Sequence, residues 1–156
     1  MKFCILLLLI LISGCSTTKN DVLVDSNIYT YSYTERNKVK LNTVVMRPGT
    51  DRAGLILEDG QPKALGNRVY FSRLYVWSKN MNEFISILED ILSKPDDQST
   101  EVKIKLGANS STITTKIFKS ELYVSIFSLD GSFLLSRNDV FELIKTLKSI
   151  KSGAGS

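Results

Sequence analysis

RVYFSRLYVWSKNMNEFISILEDILSKP (residues 68–95) contains the change of hydrophobic period that decides the fold. Its first part, residues 68–77, is rich in β-branched and aromatic side chains on both faces, which predicts a central strand of a sheet. From Ser78 onward the apolar residues recur at helical spacing, so the sequence predicts a helix with Ser78 as its N-cap. The helix is expected to end near Lys94, because Pro95 disfavours helical geometry in the residue before it.

Strand-like patterns occur on both sides of this stretch. Two turn signals, Asp59-Gly60 and Asp130-Gly131, separate some of them. A second helix is predicted after Ser136 or Asn138, with an apolar stripe that extends to Ile150. The predicted strands before and after the first helix lie at residues 28–34, 38–46, 53–57, 101–106, 111–118, 121–127 and 132–135.

The predicted elements have the same order in both halves of the chain, four strands and then a helix. The junctions are also similar, with Trp77-Ser78-Lys79-Asn80 before the first helix and Leu135-Ser136-Arg137-Asn138 before the second. A duplicated ββββα unit explains this similarity, and so does the chance recurrence of a common strand–helix junction. Under either interpretation we expect an α+β fold, an antiparallel sheet with two helices packed on one face.

The amino-terminal residues have the pattern of a secretory signal peptide. Lys2 is followed by a continuous apolar run over residues 3–12, and the small residues Ser13 and Gly14 precede Cys15. The apolar run has about half of the ~20 residues that a membrane-spanning helix needs. The sequence therefore predicts export without a permanent transmembrane anchor.

Ile12-Ser13-Gly14-Cys15 resembles the lipobox of bacterial lipoproteins. The resemblance implies that residues 1–14 are removed by cleavage between Gly14 and Cys15, that the Cys15 thiol is joined to a diacylglyceride, and that the new amino terminus is acylated. In that family an aspartate after the cysteine tends to retain the protein in the inner membrane. Ser16 is compatible with transfer to the outer membrane, facing the periplasm. The alternative is an ordinary signal peptide followed by a chance cysteine.

The sequence thus predicts four segments. Residues 1–14 are the signal peptide, residues 15–27 are the lipidated cysteine with a short tether, residues 28–151 are a single α+β domain, and residues 152–156 are a flexible tail. The second half of the tether contains apolar residues and is expected to pack on the domain.

Composition argues against most catalytic chemistry. The chain has no histidine, and its two cysteines are Cys4, within the predicted signal, and Cys15. The commonest general base and transition-metal ligand is therefore missing, and the mature domain has no thiol. No glycine-rich phosphate loop or calcium-loop spacing is present. We expect no enzyme activity, no catalytic residues, no metal and no cofactor.

A binding face is the remaining candidate site. Cationic side chains alternate along several predicted strands and aromatic side chains accompany them, a combination that can neutralise anions and stack on planar ligands. A solvated strand face that protects a sheet edge and ordinary aromatic core packing explain the same residues. The candidate residues are Lys38, Lys40, Tyr70, Tyr75, Trp77, Lys103, Lys105 and Lys116.

Three functions remain open. The first is a lipid-anchored accessory protein of the cell envelope that docks on an envelope protein assembly or on an incoming protein. The second is a lipoprotein that binds a small apolar ligand or a glycan between the sheet and the helices, in a cavity beneath Tyr70, Tyr75 and Trp77. The third rests on the order of elements, which resembles that of the Whirly and Pur-alpha single-strand binders; a lipidated exported protein seldom meets nucleic acid. The expected contacts are therefore the membrane, through the lipid, and an envelope protein.

Overall fold

The computed structural model describes residues 21–33, 35–46, 53–60, 63–65, 68–95 and 98–153. The predicted signal peptide, the lipobox with Gly14 and Cys15, and the end of the predicted tail lie outside these residues. The described strands are β1 (Val22–Val24), β2 (Tyr29–Ser32), β3 (Asn37–Met46), β4 (Gly54–Asp59), β5 (Lys63–Leu65), β6 (Arg68–Tyr70), β7 (Arg73–Trp77), β8 (Glu101–Lys105), β9 (Ser110–Phe118), β10 (Glu121–Ser128) and β11 (Gly131–Ser136). The helices are α1 (Met81–Ser93), preceded by a 3-10 turn at Ser78–Asn80, and α2 (Arg137–Gly153).

The predicted α+β class is confirmed. The strands form two antiparallel sheets, the first with β1 and β2 along one edge of β3 followed by β4 and β7, and the second in the order β11, β10, β9, β8. A short hairpin, β5–β6, is inserted between β4 and β7. Apart from that hairpin and β1, each half is an antiparallel meander of four strands followed by a helix, which is the order of elements expected from the sequence.

One hydrophobic core joins both sheets to both helices. Alternate residues of β3, β4, β7, β9 and β10 point inward, as the period of two requires, and each helix contributes the stripe predicted from its apolar spacing. Fully or almost fully buried members include Leu41, Leu55, Leu57, Leu74 and Val76 from the first sheet, Ile113, Val124, Ile126, Phe133 and Leu135 from the second, and Phe84, Leu88, Val140, Leu143 and Leu147 from the helices.

The expectation that residues 68–77 form one central strand is wrong. Phe71 and Ser72 interrupt the run, β6 pairs with β5, and β7 lies at the edge of the first sheet. Large side chains occur on both faces of β7 for another reason. Its inner face packs in the core, and its outer-face side chains Tyr75 and Trp77 lie beside two loops of the second sheet.

The two strand–helix junctions differ in geometry. Ser78 begins a 3-10 turn and is not the N-cap of α1; Asn80 occupies that position and makes no side-chain cap bond. Ser136 directly precedes α2, as predicted, and its N–H donates to Oδ2 of Asp139 at 3.1 Å. The two junctions are therefore similar in sequence, but their helices start in different ways.

The chain also enters the fold earlier than predicted. Residues 22–24, assigned from the sequence to the tether 15–27, pair with residues 43–45 as β1. Packing of the second half of the tether was expected, but a strand was not. At the other end α2 continues to Gly153, two residues into the predicted tail.

The last strand of each half contacts the other half. In β7, the Arg73 N–H donates to the carbonyl of Asp130 at 3.0 Å, and the Trp77 N–H donates to that of Leu106 at 2.8 Å. β11 in turn contacts β2, where the Thr30 hydroxyl accepts a hydrogen bond from the Leu134 N–H at 2.9 Å and lies 3.4 Å from the Leu134 carbonyl. Each half thus contacts the last strand of the other half.

We expect Thr30→Val to destabilise the fold by about 1–3 kcal/mol, because the buried Leu134 N–H would lose its acceptor. Urea denaturation of the variant and the parent measures this loss of stability. Thr112→Val is the matched control, because Thr112 is a half-buried threonine on β9. Equal stability of the two variants would show that the Thr30 contact does not hold the sheets together.

Candidate functional site

An open depression of ≈ 310 Å³ lies between the edge strand β7 and one end of the second sheet. β7 contributes Tyr75 and Trp77, which alternate to the outer face because Leu74 and Val76 are in the core. The opposite wall comes from the β8–β9 loop and the β10–β11 turn, which meet at the same end of the sheet. We name this depression the β7 slot; its lining is Leu74, Tyr75, Trp77, Gly107, Ala108, Asn109, Ser111, Ser128 and Asp130.

An exposed apolar patch adjoins the slot. Phe71 is 36% exposed, Phe127 62% and Leu129 81%, and all three line a second depression that shares Tyr75 and Asp130 with the β7 slot. Large apolar side chains are normal on a surface when scattered, but several together mark candidate contact sites. We name these three residues the apolar patch.

The charges beside the slot are paired. Arg73 Nε donates to Glu58 Oε2 at 2.5 Å, and this hydrogen bond, with a weaker one to Tyr75, raises the pKa of Arg73 above its usual value. Asn109 Nδ2 donates to Asp130 Oδ2 at 3.3 Å across the mouth of the slot. The slot therefore presents aromatic rings and polar acceptors, with the Lys79 ammonium 5.0 Å from the centroid of the Trp77 ring.

A separate aromatic cluster lies where β2 meets the second sheet. The rings of Tyr31, Tyr33, Phe118 and Tyr123 pack edge to face, with centroids 4.9–6.5 Å apart. The Lys119 ammonium lies 4.7 Å from the Tyr31 ring centroid. Tyr123 is almost fully buried, whereas Tyr33 is 58% exposed, so the cluster extends from the core to the surface.

The predicted binding residues do not form one surface. Tyr75 and Trp77 line the β7 slot. Lys116 Nζ donates to the Tyr33 hydroxyl at 2.8 Å, beside the aromatic cluster. The side chain of Tyr70 lies outside the described residues.

The remaining predicted cations serve different purposes. Lys38 Nζ lies 3.3 Å from Asp139 Oδ2, and Lys40 Nζ lies 2.6 Å from Asp25 Oδ1. The hydrogen bond that Lys40 donates to the Asp25 carboxylate raises the pKa of the exposed Lys40 ammonium. Lys103 and Lys105 are exposed on the edge strand β8, a position that discourages edge-to-edge pairing.

Sequence reasoning missed Phe127, Leu129 and Asn109. The sequence did contain a signal for Phe127 and Leu129. Apolar residues occur at both even and odd positions of β10, which is more than one buried face needs. Val124 and Ile126 face the core, and Phe127 does not. Asn109 lies in a short polar loop, where no pattern distinguishes a residue that lines a slot from one in solvent.

Comparison with models of known protein families, with curated proteins and with solved structures found no match to this chain. Within the described residues, no helix is long and apolar enough to cross a membrane. The described part of the chain also contains no group of three or more acidic, cysteine or histidine side chains placed to hold a metal ion.

We expect Lys38 to contribute to stability through Asp139. A double-mutant cycle of Lys38→Met and Asp139→Ala should give a coupling free energy of about 0.5–1 kcal/mol, a value kept small because Lys38 is partly exposed. Urea denaturation provides the four stabilities. Lys103→Met combined with Asp139→Ala is the control and should be additive; equal coupling in both cycles would contradict a structural role for Lys38.

Proposed function

We propose that this protein is a lipid-anchored lipoprotein of the bacterial cell envelope that acts without catalysis, by docking on an envelope protein assembly or on an incoming protein. The apolar patch is the observation that carries the docking function. Its three side chains are exposed together beside the β7 slot, where they line one depression. The lipobox-like segment ending at Cys15 supports the anchor.

The short connection between the lipid and the fold would keep the patch close to the membrane. Seven residue steps separate Cys15 from Val22, the first residue of β1, and they span at most ~25 Å when extended. Recognition would therefore be restricted to partners at or near the same bilayer. We place the protein on the outer membrane, facing the periplasm, because Ser16 is compatible with transfer there.

Residue composition supports a non-catalytic role. The chain has no histidine to activate a serine, and the only cysteine outside the predicted signal peptide is the proposed lipidation site. The charged side chains beside the β7 slot are committed to Glu58–Arg73 and Asn109–Asp130 contacts.

We expect Cys15→Ser to move the protein from the membrane fraction to the soluble fraction of cells that express it, because the lipid would have no attachment point. Fractionation followed by immunoblotting measures this. Cys4→Ser is the matched control and should remain in the membrane fraction, since Cys4 belongs to the removed segment. An unchanged membrane pool of Cys15→Ser would contradict the lipoprotein assignment.

We expect affinity capture of the tethered protein from its own envelope to recover a defined protein partner through the apolar patch. The variant carrying both Phe127→Ser and Leu129→Ser should lose that partner, because burial of two large apolar side chains contributes about 3–6 kcal/mol in total. Ile117→Ser is the control, since Ile117 is 54% exposed at the opposite end of the second sheet. Equal recovery with the double variant and with the control would contradict docking through the patch.

A second candidate function is favoured by the β7 slot. Small-molecule sites are concave and combine apolar or aromatic walls with a few polar groups that orient the ligand. Tyr75 and Trp77 supply such walls, and Asn109 and Asp130 supply the polar groups. Binding of a small ligand or a glycan in this slot is compatible with a lipid anchor and with docking through the neighbouring patch.

A further inference from the structure

The outer face of the first sheet is apolar at one end and polar further along. Residues that lie directly opposite each other in an antiparallel sheet share a face, so the pairing of β1, β3, β4 and β7 defines rows of side chains. The inner rows fill the core, where Leu55 and Val76 are fully buried. The outer rows alternate with them along the strands, and their side chains lie outside the core.

Three outer rows follow one another from the end of the sheet where β7 terminates. The first row is Met46, Gly54 and Trp77. The second row is Leu23, Val44, Ile56 and Tyr75. The third row is Asn42, Glu58 and Arg73, and the last two form an ion pair. We name the first two rows the apolar end of the sheet.

The apolar end is accessible. Leu23 is 69% exposed on β1 at one edge, and the other side chains of the apolar end are half-buried. The Trp77 ring lies 5.0 Å from the Lys79 ammonium, and on the slot side it borders Gly107, where a Cβ would lie 3.7 Å from Nε1. Tryptophan and tyrosine favour the boundary between headgroups and acyl chains of a bilayer, and lysine extends its ammonium from that boundary to water.

The described part of the first sheet begins at this same end. Val22, the first residue of β1, pairs with Val45, so β1 starts beside the row that contains Met46 and Trp77. In the proposed lipid-anchored form, the seven residue steps from Val22 to Cys15 span at most ~25 Å. Three strand spacings, about 14 Å, separate β1 from β7. The whole apolar end thus lies within reach of the bilayer that holds the anchor.

We propose that the apolar end contacts the phospholipid surface of that bilayer, with Leu23 and Trp77 in the interfacial region. The inference rests on the proposed lipid anchor and adds the orientation of the domain on the membrane. Arg73 lies about 13 Å along β7 from Trp77. The apolar patch, which adjoins Arg73, is therefore directed away from the lipid and stays available to a protein partner.

The spacing of the rows fits the depth of the interfacial region. Outer rows are two residues apart along a strand, which is about 7 Å. An amphipathic helix at a membrane surface buries its apolar face to about 5–10 Å, and the same depth accommodates two rows of this sheet. The third row remains in water, where the charges of Glu58 and Arg73 stay hydrated.

A lipid surface suits this face better than a second copy of the sheet. Two sheets that pack face to face contact each other along much of their strands, and their inner faces are apolar throughout. Here a charged row begins only four residues from Trp77. Asp21, exposed beside β1, opposes the charge of Lys79, so the contact depends on the apolar rows rather than on anionic lipid.

Trp77 is the single tryptophan of the chain, so its fluorescence reports on the apolar end alone. The protein is purified from the membranes of cells that express it and reconstituted into phosphatidylcholine vesicles, with acyl chains either plain or brominated. Bromine quenches an indole only at close range. We expect the brominated lipid to lower Trp77 emission about twofold or more, because the ring lies at the boundary of the acyl chains.

A matched reporter lies on the apolar patch. The variant carrying both Trp77→Phe and Phe127→Trp moves the only tryptophan to a position that is 62% exposed beyond the charged row. Its emission should be equal in the two kinds of vesicle. Equal quenching of the two reporters would contradict the proposed orientation.

A change at the opposite edge of the apolar end tests whether the whole end makes the contact. Leu23→Asp should restore most of the Trp77 emission lost to bromine, because it places a charge in the interfacial region. Ile117→Asp is the control and should leave the quenching unchanged, since Ile117 is 54% exposed at the far end of the second sheet. Equal quenching in the parent and in Leu23→Asp would refute contact through β1.

Each other outcome overturns a distinct statement. Failure of the protein to float with the vesicles would refute both the lipid anchor and the inference. A floating protein with equal Trp77 emission in both kinds of vesicle would retain the anchor and refute the inference. If Trp77 is also shielded from aqueous acrylamide and cross-linking yields dimers, the apolar end is an interface between copies instead.

Discussion

The carboxylate of Asp139 is the contact on which the relation between the two sheets depends. It is almost fully buried in the first turn of α2, where it accepts hydrogen bonds from the N–H of Tyr29 at 3.1 Å and from Ser136, and it pairs with Lys38. One side chain thus connects β2, β3 and the junction between β11 and α2. An acidic group is favourable there because the amino-terminal end of a helix carries a partial positive charge. With the Thr30 hydroxyl beside it, this carboxylate fixes how β11 crosses the first sheet.

The contacts that fix how the two sheets lie against each other also form the candidate site. Because the last strand of each half contacts the other half, β7 is held against loops of the second sheet at Arg73 and Trp77. The β8–β9 loop and the β10–β11 turn accept hydrogen bonds from Trp77 and Arg73, and their glycines Gly107 and Gly131 lie against Tyr75 and Ser72. The β7 slot is the gap between this loop and this turn, and the apolar patch continues it past Arg73. Both candidate functions therefore have the same structural origin.

Local elements could be predicted from the sequence because their signals are local. The alternation in β3 and β10 and the apolar stripes of both helices are side-chain patterns, and they identified the strands, the helices and the α+β class. The edge position of β7 could not be predicted, because backbone groups and a glycine at 107 make the contacts that define it. Trp77 and Tyr75 were recognised as candidate binding residues by their chemistry. Tyr75 and Trp77 lie apart from Lys38 and Lys116 because of how the two sheets contact each other. That arrangement has no pattern in the sequence.

In the proposed lipid-anchored form, the pairing of β1 has a mechanical consequence. Tension on the anchor would load β1 first, because Val22 is its first residue and only three residue pairs join it to β3. Pulled from that end, the pairs would separate one after another, and the connection would lengthen to ~45 Å measured to Ile28. Ile28 is fully buried and its carbonyl accepts from the Leu41 N–H at 2.9 Å, so the peeling would stop there. β1 would then unpair and extend under tension, between the bilayer and a core that stays folded.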